Sequence, residues 1–128
     1  MAGAATTYSV SKIYNGDRVT EKHTFTWVAD DGTAAVTSKA TTLSVVGYVI
    51  LGTISVGTTT STADITIKDS DGVDVFGAEL SNMPSQALPK IGNAYGDRFV
   101  GSILTFAMAN NAVLSANGSC NVYVLVET

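Results

Sequence analysis

A hairpin signal in the stretch Ala63–Phe76 constrains the fold of this sequence more than any other feature. Its first half alternates apolar and polar residues, as expected of a pleated strand with one buried face and one solvent face. The apolar residues of this alternation are Ala63, Ile65 and Ile67. Asp69–Gly72 then predicts a chain reversal, because glycine accepts a positive φ and Asp carboxylates hydrogen-bond nearby backbone amides. Val73 and Val75 resume the apolar pattern after the turn.

Segments of the same kind, separated by turn signals, make up most of the remaining chain. Asn15-Gly16-Asp17 and Asp30-Asp31-Gly32 predict reversals, and Asn117-Gly118 precedes the last segment. Gly47 and Gly52 interrupt the most apolar segment, where they indicate a bulge or a bend. The predicted strands outside the central hairpin are Thr7–Tyr14, Arg18–Ala29, Thr33–Thr42, Leu43–Val56, Arg98–Ala109 and Cys120–Glu127.

These patterns predict an all-β fold. Seven or eight short strands, with no helical period longer than one turn, indicate an antiparallel β-sandwich of the jelly-roll type, and a closed barrel is the main alternative. A length of 128 residues suits a single domain, which we expect at residues 7–128 after a small-residue arm, Met1–Thr6. Gly77–Asp97 contains both prolines and no clear period, so it predicts a long loop that binds something.

The charge distribution argues against several classes of partner. The chain has seven Lys and Arg against eleven Asp and Glu, and its net charge is −4. The basic residues are scattered singly from Lys12 to Arg98, whereas phosphate binding needs them clustered. Leu43–Ile54 is too short to span a bilayer, and Met1–Val10 lacks the basic and apolar regions of a secretory signal. We therefore expect neither nucleic acid nor a membrane as a direct partner.

Three carboxylates in the central turn come nearest to a metal site. Asp69, Asp71 and Asp74 resemble part of an oxygen-ligand Ca²⁺ loop, since hard cations bind several closely spaced carboxylates. The stretch lacks the length and the later bidentate Glu of an EF-hand, so we interpret it as a structural turn. One histidine, His23, and one cysteine cannot supply the three or four ligands of a zinc site. No metal and no cofactor are expected.

The nucleophile candidates are also interpreted as structural. His23 does not form a triad with its neighbours Glu21 and Lys22, and we expect it on a strand face. Cys120 cannot form an intrachain disulfide, because it is the single cysteine. It begins a strand on which an inert thiol packs inward. The inward set is Cys120, Val122, Val124 and Val126.

Aromatic and glycine-rich stretches add no catalytic signature. Tyr8, Phe25 and Trp27 form either a sugar-stacking platform or part of the core, and aromatics two residues apart on a strand usually belong to the core. The glycines of IGNAYGDRFVG do not follow a strand and open a helix, so they are not a phosphate-binding loop. We therefore expect the protein not to be an enzyme.

The second half of the chain resembles a known group of proteins. ITIKDSDGVDVFG, a loop containing proline, and RFVGSILTFAMANNAVLSANGSCNVYVLVE together resemble small β-rich virion proteins of tailed bacteriophages, in particular capsid decoration (cement) proteins. The resemblance covers Thr62–Glu127, about half of the chain, and lies in the order of strand, Asp-Gly turn, loop and two late strands. Tail, neck and fibre proteins share this order.

The resemblance implies a non-enzymatic protein on the capsid surface of a virion. Such a protein would bind the major capsid protein, as a homo-oligomer with a trimer favoured, and would stabilise the shell by adding buried interface. The alternatives are a carbohydrate- or receptor-binding β-sandwich and a tail or neck component. The residues expected at the interface lie in the arm and the long loop: Met1, Ala2, Gly3, Ala4, Ala5, Thr6, Met83, Pro84, Leu88, Pro89, Ile91 and Tyr95.

Overall fold

A computed structural model describes residues 4–55, 63–75, 88–90 and 98–126. In this part of the chain the protein is all-β, and every strand pairing is antiparallel. The strands are β1 (Ala5–Asn15), β2 (Arg18–Val28), β3 (Lys39–Ala40), β4 (Val45–Ser55), β5 (Asp64–Lys68), β6 (Leu88–Lys90), β7 (Arg98–Ser102), β8 (Thr105–Ala109) and β9 (Asn117–Val126). Nine strands in the described ranges exceed the predicted seven or eight.

The larger sheet contains six of the described strands, in the order β1-β2-β9-β4, with β6 and β7 both on the far side of β4. β7 pairs with the first half of β4 and β6 pairs with its second half. β9, the last described strand, therefore lies between two strands from the first half of the chain. The smaller described sheet has the order β3-β8-β5.

A two-residue turn fixes the register of the β1–β2 hairpin. Asn15 pairs with Arg18, so Gly16 and Asp17 form the turn, and Gly16 has a φ of 65°. Glycine at the first turn position with positive φ is the pattern of a type II′ turn, whose twist matches that of the strands. The predicted reversal is confirmed, and eleven residue pairs follow it without a bulge.

The central hairpin signal is confirmed in its strand and its turn. The side chains of Ala63, Ile65 and Ile67 are buried, and Gly72 has a φ of 81°. One carboxylate oxygen of Asp69 accepts hydrogen bonds from the backbone N–H groups of residues 71 and 73. Of the predicted second strand, the described residues 73–75 make one bridge, Lys68 to Asp74. β5 instead pairs along its whole length with β8.

Aromatic side chains join the two sheets. Phe106, in the middle strand of the smaller sheet, stacks on Phe25 and on Trp27 of the larger sheet, with ring centroids 5.4 Å apart in both pairs. All three rings are fully buried. Offset aromatic contacts of this kind add about 1 kcal/mol each beyond the burial of area. The core therefore lies between the sheets.

Three predicted segments differ from the structure. Arg98–Ala109 is two strands in different sheets, because Leu104 crosses the core and exchanges hydrogen bonds with Thr41. Thr33–Thr42 contributes the short strand β3, since the Asp30 carboxylate binds backbone N–H groups at positions 32 and 33 and holds the chain in a turn. β6 lies inside the predicted loop Gly77–Asp97.

The Asn117-Gly118 pair lies in a strand and does not form a turn. Asn117 and Gly118 belong to β9, and Gly118 pairs with Trp27, whose ring occupies the space of a side chain. The chain break that was predicted at Asn117-Gly118 therefore lies before Asn117, where β9 begins.

The predicted irregularity in β4 is confirmed as a register shift between Val49 and Leu51.

Candidate interaction surface

One row of paired residues, four apolar and one threonine, forms a partly exposed band on the outer face of the larger sheet. Directly opposed residues of neighbouring strands share a face, so the register alone places this row on one side. The row runs through Ile13, Thr20, Leu125, Tyr48 and Phe99, one residue from each of β1, β2, β9, β4 and β7. With neighbouring strands about 4.8 Å apart, the row is about 19 Å long. We call this row, together with the adjacent Val46, the outer band.

The outer band ends in a groove at its β4–β7 side. Tyr48 and Phe99 meet edge to face, with ring centroids 5.3 Å apart, and 57% of Phe99 is exposed. The groove has a volume of about 340 Å³. Gly47 lines it, and a Cβ at that position would lie 2.4 Å from the carbonyl oxygen of Leu125. Close approach of β4 to β9 therefore requires glycine there.

The same outer face becomes polar four residues further along the strands. Thr24 donates to the side-chain oxygen of Asn121 at 2.8 Å, and the amide nitrogen of Asn121 donates to the hydroxyl of Thr53 at 3.1 Å. This ladder links β2, β9 and β4 through their side chains. Both bonds are partly buried, and the net contribution of such a bond to stability is about 1 kcal/mol. The outer face thus has one apolar end and one polar end.

The free edge of β1 is a second exposed feature. Among the described residues, β1 pairs on one side with β2 and has no ladder partner on the other. Its eleven residues include one charge, Lys12, and no proline, and the ladder has no bulge. Proteins usually protect long edge strands with such features. Val10 and Tyr14 near this edge are also exposed, 49% and 71% respectively.

A partly buried hydrogen-bond chain lies on the core side of β1 and β2. The Tyr8 hydroxyl lies 2.6 Å from Nδ1 of His23, and Nε2 of His23 lies 3.2 Å from a carboxylate oxygen of Glu21. A carboxylate can only accept, so Nε2 carries the proton and Nδ1 accepts from the tyrosine. Burial lowers the pKa of His23 below its usual value, against the opposing effects of the Glu21 hydrogen bond and charge.

Hydroxyl, imidazole and carboxylate in series are also the groups of a nucleophile with its base. Here burial and the charge of Glu21 raise the pKa of Tyr8, which is the wrong direction for an activated nucleophile. His23 is 3% exposed, so its ring is not open to a substrate from solvent. The chain of bonds therefore satisfies buried polar groups at the edge of the core. The sequence interpretation of His23 as a strand-face residue is confirmed, but its bond to Tyr8 was missed.

The turn geometry could have revealed that bond. Once Gly16-Asp17 is taken as a two-residue turn, Tyr8 opposes Phe25, and His23 is its diagonal neighbour on the same face. The remaining nucleophile candidate is confirmed as inward-facing: Cys120 is fully buried in the expected set with Val122 and Val124. Burial, assisted by the charge of Asp74, raises the pKa of its thiol to about 12.

Two of the three turn carboxylates, those of Asp69 and Asp74, accept hydrogen bonds from backbone groups. Besides the two N–H groups bound by Asp69, the backbone N–H of Ile67 donates to a carboxylate oxygen of Asp74 at 3.2 Å. These bonds explain Asp69 and Asp74 as parts of the turn. Within residues 4–55, 63–75, 88–90 and 98–126, no three His, Cys, Asp or Glu side chains are grouped as a metal site requires.

Two of the three residues of the proposed sugar-stacking platform are not accessible. Phe25 and Trp27 are fully buried, and Tyr8 packs against the core, so the core interpretation is the one confirmed. Exposed rings occur instead at Tyr48 and Phe99 in the outer band.

The predicted interface residues are only partly described. Ala5 and Thr6, placed in the arm by the sequence, belong to β1 and pair with Val28 and Trp27 of the same chain. Leu88 and Pro89 lie in β6, which pairs with β4. Ala4 precedes β1. The others lie outside the described residues: Met1, Ala2, Gly3, Met83, Pro84, Ile91 and Tyr95.

Comparisons with known proteins identify no relative. No family model, no curated protein and no solved structure matches this chain. In the described ranges no helix has the length and apolar character needed to cross a membrane. The function is therefore inferred from the surface features described above.

Proposed function

We propose that this protein is a non-enzymatic structural component of a bacteriophage virion that binds and stabilises the outside of the capsid. The single observation that carries the proposal is the outer band, a row across five strands in which four of the five residues are apolar, on a face that no described layer covers. Exposed contiguous apolar surface on a small protein marks an interaction site. The sequence resemblance to capsid decoration proteins supplies the partner, the major capsid protein. Within the all-β fold, we propose a β-sandwich of the jelly-roll type.

The proposed mechanism is the addition of buried interface to a repeating shell. A stable contact needs on the order of 1,000 Å² in total, and the outer band would form its apolar centre. The arm Met1–Thr6 and the loop Gly77–Asp97 are proposed to extend that contact. Because one capsid presents many identical sites, several copies acting together bind more strongly than the single contact does.

Co-sedimentation tests the proposal. The genes next to the one encoding this chain should include a capsid or capsid-protease gene, and heads purified from that phage serve as the probe. Phe99→Ser should weaken binding to heads about tenfold or more, because it removes the most exposed large apolar side chain of the outer band. Leu114→Ser is the matched control, since Leu114 is 53% exposed in the turn before β9 and outside the outer band.

The two variants make the outcomes distinct. Wild-type protein that does not sediment with heads contradicts the proposal. Equal weakening by both substitutions contradicts the outer band as the contact. Circular dichroism on both variants checks that the fold is retained.

A tail or neck position in the same virion is the nearest alternative to the capsid surface, and sedimentation with purified tails instead of heads would favour it.

A second candidate function is carbohydrate or receptor binding, which the exposed Tyr48–Phe99 pair and its groove favour. A groove of about 340 Å³ is at the small end of ligand sites. A glycan-array signal that Phe99→Ala abolishes, with the fold retained, would support this function over capsid binding. Trp27 is not the residue to test, because it is fully buried.

A further inference from the structure

We propose that two copies of this chain associate by antiparallel pairing of their β1 strands, which makes one continuous sheet across a two-fold axis. The strand that pairs with the free edge of β1 is thus the β1 strand of a second copy. This inference does not depend on the virion proposal, because it uses only the backbone register and side chains of β1.

The hairpin turn determines which backbone groups of β1 face outward. In a two-residue hairpin the pair next to the turn, Asn15 and Arg18, is hydrogen-bonded. Bonded and non-bonded pairs alternate along an antiparallel ladder, so the even-numbered residues of β1 direct their N–H and C=O groups away from β2. These residues are Thr6, Tyr8, Val10, Lys12 and Tyr14. The free edge thus presents a regular row of donors and acceptors.

The sequence of β1 favours one register for a pair of copies. Centring the two-fold axis on Val10 opposes all eleven residues and allows at most about ten hydrogen bonds, since the Thr6 end of β1 also contacts its own chain, where the Thr6 hydroxyl donates to the carbonyl oxygen of Thr37. It places the half-exposed Val10 against the same residue of the second copy and Lys12 opposite Tyr8. Shifting the axis to Lys12 would oppose two like charges and shorten the ladder, both of which destabilise it. The outer faces of both copies then lie on the same side of the joined sheet.

An isologous contact of this kind closes after two copies. It therefore differs from the trimer that the sequence resemblance implies, since a three-fold axis cannot bring the same strand antiparallel to itself. Sedimentation equilibrium on the purified full chain distinguishes the two. A dimer supports the pairing. A trimer, or a monomer up to about 1 mM, overturns it.

Substitutions at Val10 separate edge pairing from folding. Val10→Pro removes an outward N–H and leaves the β1–β2 ladder bonds in place, which is how edge strands tolerate proline. Two hydrogen bonds are lost per dimer, so we expect about thirtyfold weaker dimerisation with unchanged circular dichroism. Val10→Thr keeps the N–H and the branched shape and should change the dimerisation constant less than about threefold. Equal dimerisation of both variants overturns the proposal.

Cysteine crosslinking tests the register directly and does not require the proline variant to fold. The Val10-centred register opposes Ser9 of one copy to Ser11 of the other as a non-bonded pair, the closer of the two kinds. We expect S9C and S11C to form disulfide-linked dimers rapidly when mixed and slowly when each is oxidised alone. Fast crosslinking of either variant alone overturns the register. The native Cys120 is buried and does not interfere.

Discussion

Gly118→Ala provides the most direct test of how the core is packed. Gly118 pairs with Trp27 across the β2–β9 ladder, and the indole ring lies over the glycine. A Cβ at this position would lie 2.5 Å from Cζ2 of Trp27 and 2.7 Å from the carbonyl oxygen of Ser55. Ordinary contact begins at 3.4 Å, so these atoms must move by roughly 0.7 to 0.9 Å.

Neither Trp27 nor Ser55 can move that far without a loss of stability. The Trp27 ring is fully buried and stacked on Phe106, and Ser55 belongs to the ladder between β4 and β9. Overpacking of a well-packed core costs about 1 to 3 kcal/mol, and we expect the upper end because one clash is with backbone. For a chain of this length, 3 kcal/mol corresponds to a fall in Tm of roughly 10 to 15 °C.

Thermal and urea unfolding, followed by circular dichroism and by the fluorescence of the single tryptophan, measure this cost. Gly101→Ala in β7 is the matched control, since its Cβ would meet Cε1 of Phe99 at an ordinary 3.5 Å. The control should stay within about 0.5 kcal/mol of wild type. A Gly118→Ala protein as stable as Gly101→Ala would refute the placement of Trp27 over β9.

Three further predictions concern the turn, pH and metal ions. Gly72→Val should lower the free energy of unfolding in urea by about 1 kcal/mol, because Gly72 has a φ of 81°. This cost is backbone strain alone, since nothing lies within 4 Å of an added Cβ, and an unchanged midpoint would contradict it. Since burial lowers the pKa of folded His23, its contribution to stability is complete above the unfolded value of 6.5 and is lost as the pH falls from there through the lowered pKa. His23→Gln should flatten that part of the urea-stability profile, and an equally steep profile would refute the assignment. EDTA should leave the Tm unchanged in differential scanning calorimetry, whereas a drop that Ca²⁺ reverses would assign a metal to Asp69, Asp71 and Asp74.

Local period and turn chemistry predict individual strands of this protein well. The burial of Phe25 and Trp27, and of Ile65 and Ile67, follows from alternation, because a period of two needs only neighbouring residues. The positive φ of Gly72 follows from the turn sequence for the same reason.

What the sequence did not predict depends on contacts between distant residues. Arg98–Ala109 has the composition of a strand throughout, and nothing local indicates that Leu104 leaves one sheet and enters the core between them. Tyr48 and Phe99 look like core residues, since exposure depends on whether another layer covers that face of the sheet. The outer band was missed for this reason, because it appears only when five strands are placed in register.

The position of β9 has a consequence for how the chain folds. Because β9 lies between β2 and β4, the larger sheet joins residues about a hundred positions apart, such as Thr24 and Asn121. Loop closure over that distance precedes any gain from the pairing, so folding belongs to the slow, non-local class. During synthesis, β2 and β4 lack their shared neighbour until residue 126 has left the ribosome. Until then each of the two strands exposes an unpaired edge, and the nascent chain is most prone to misfolding and aggregation.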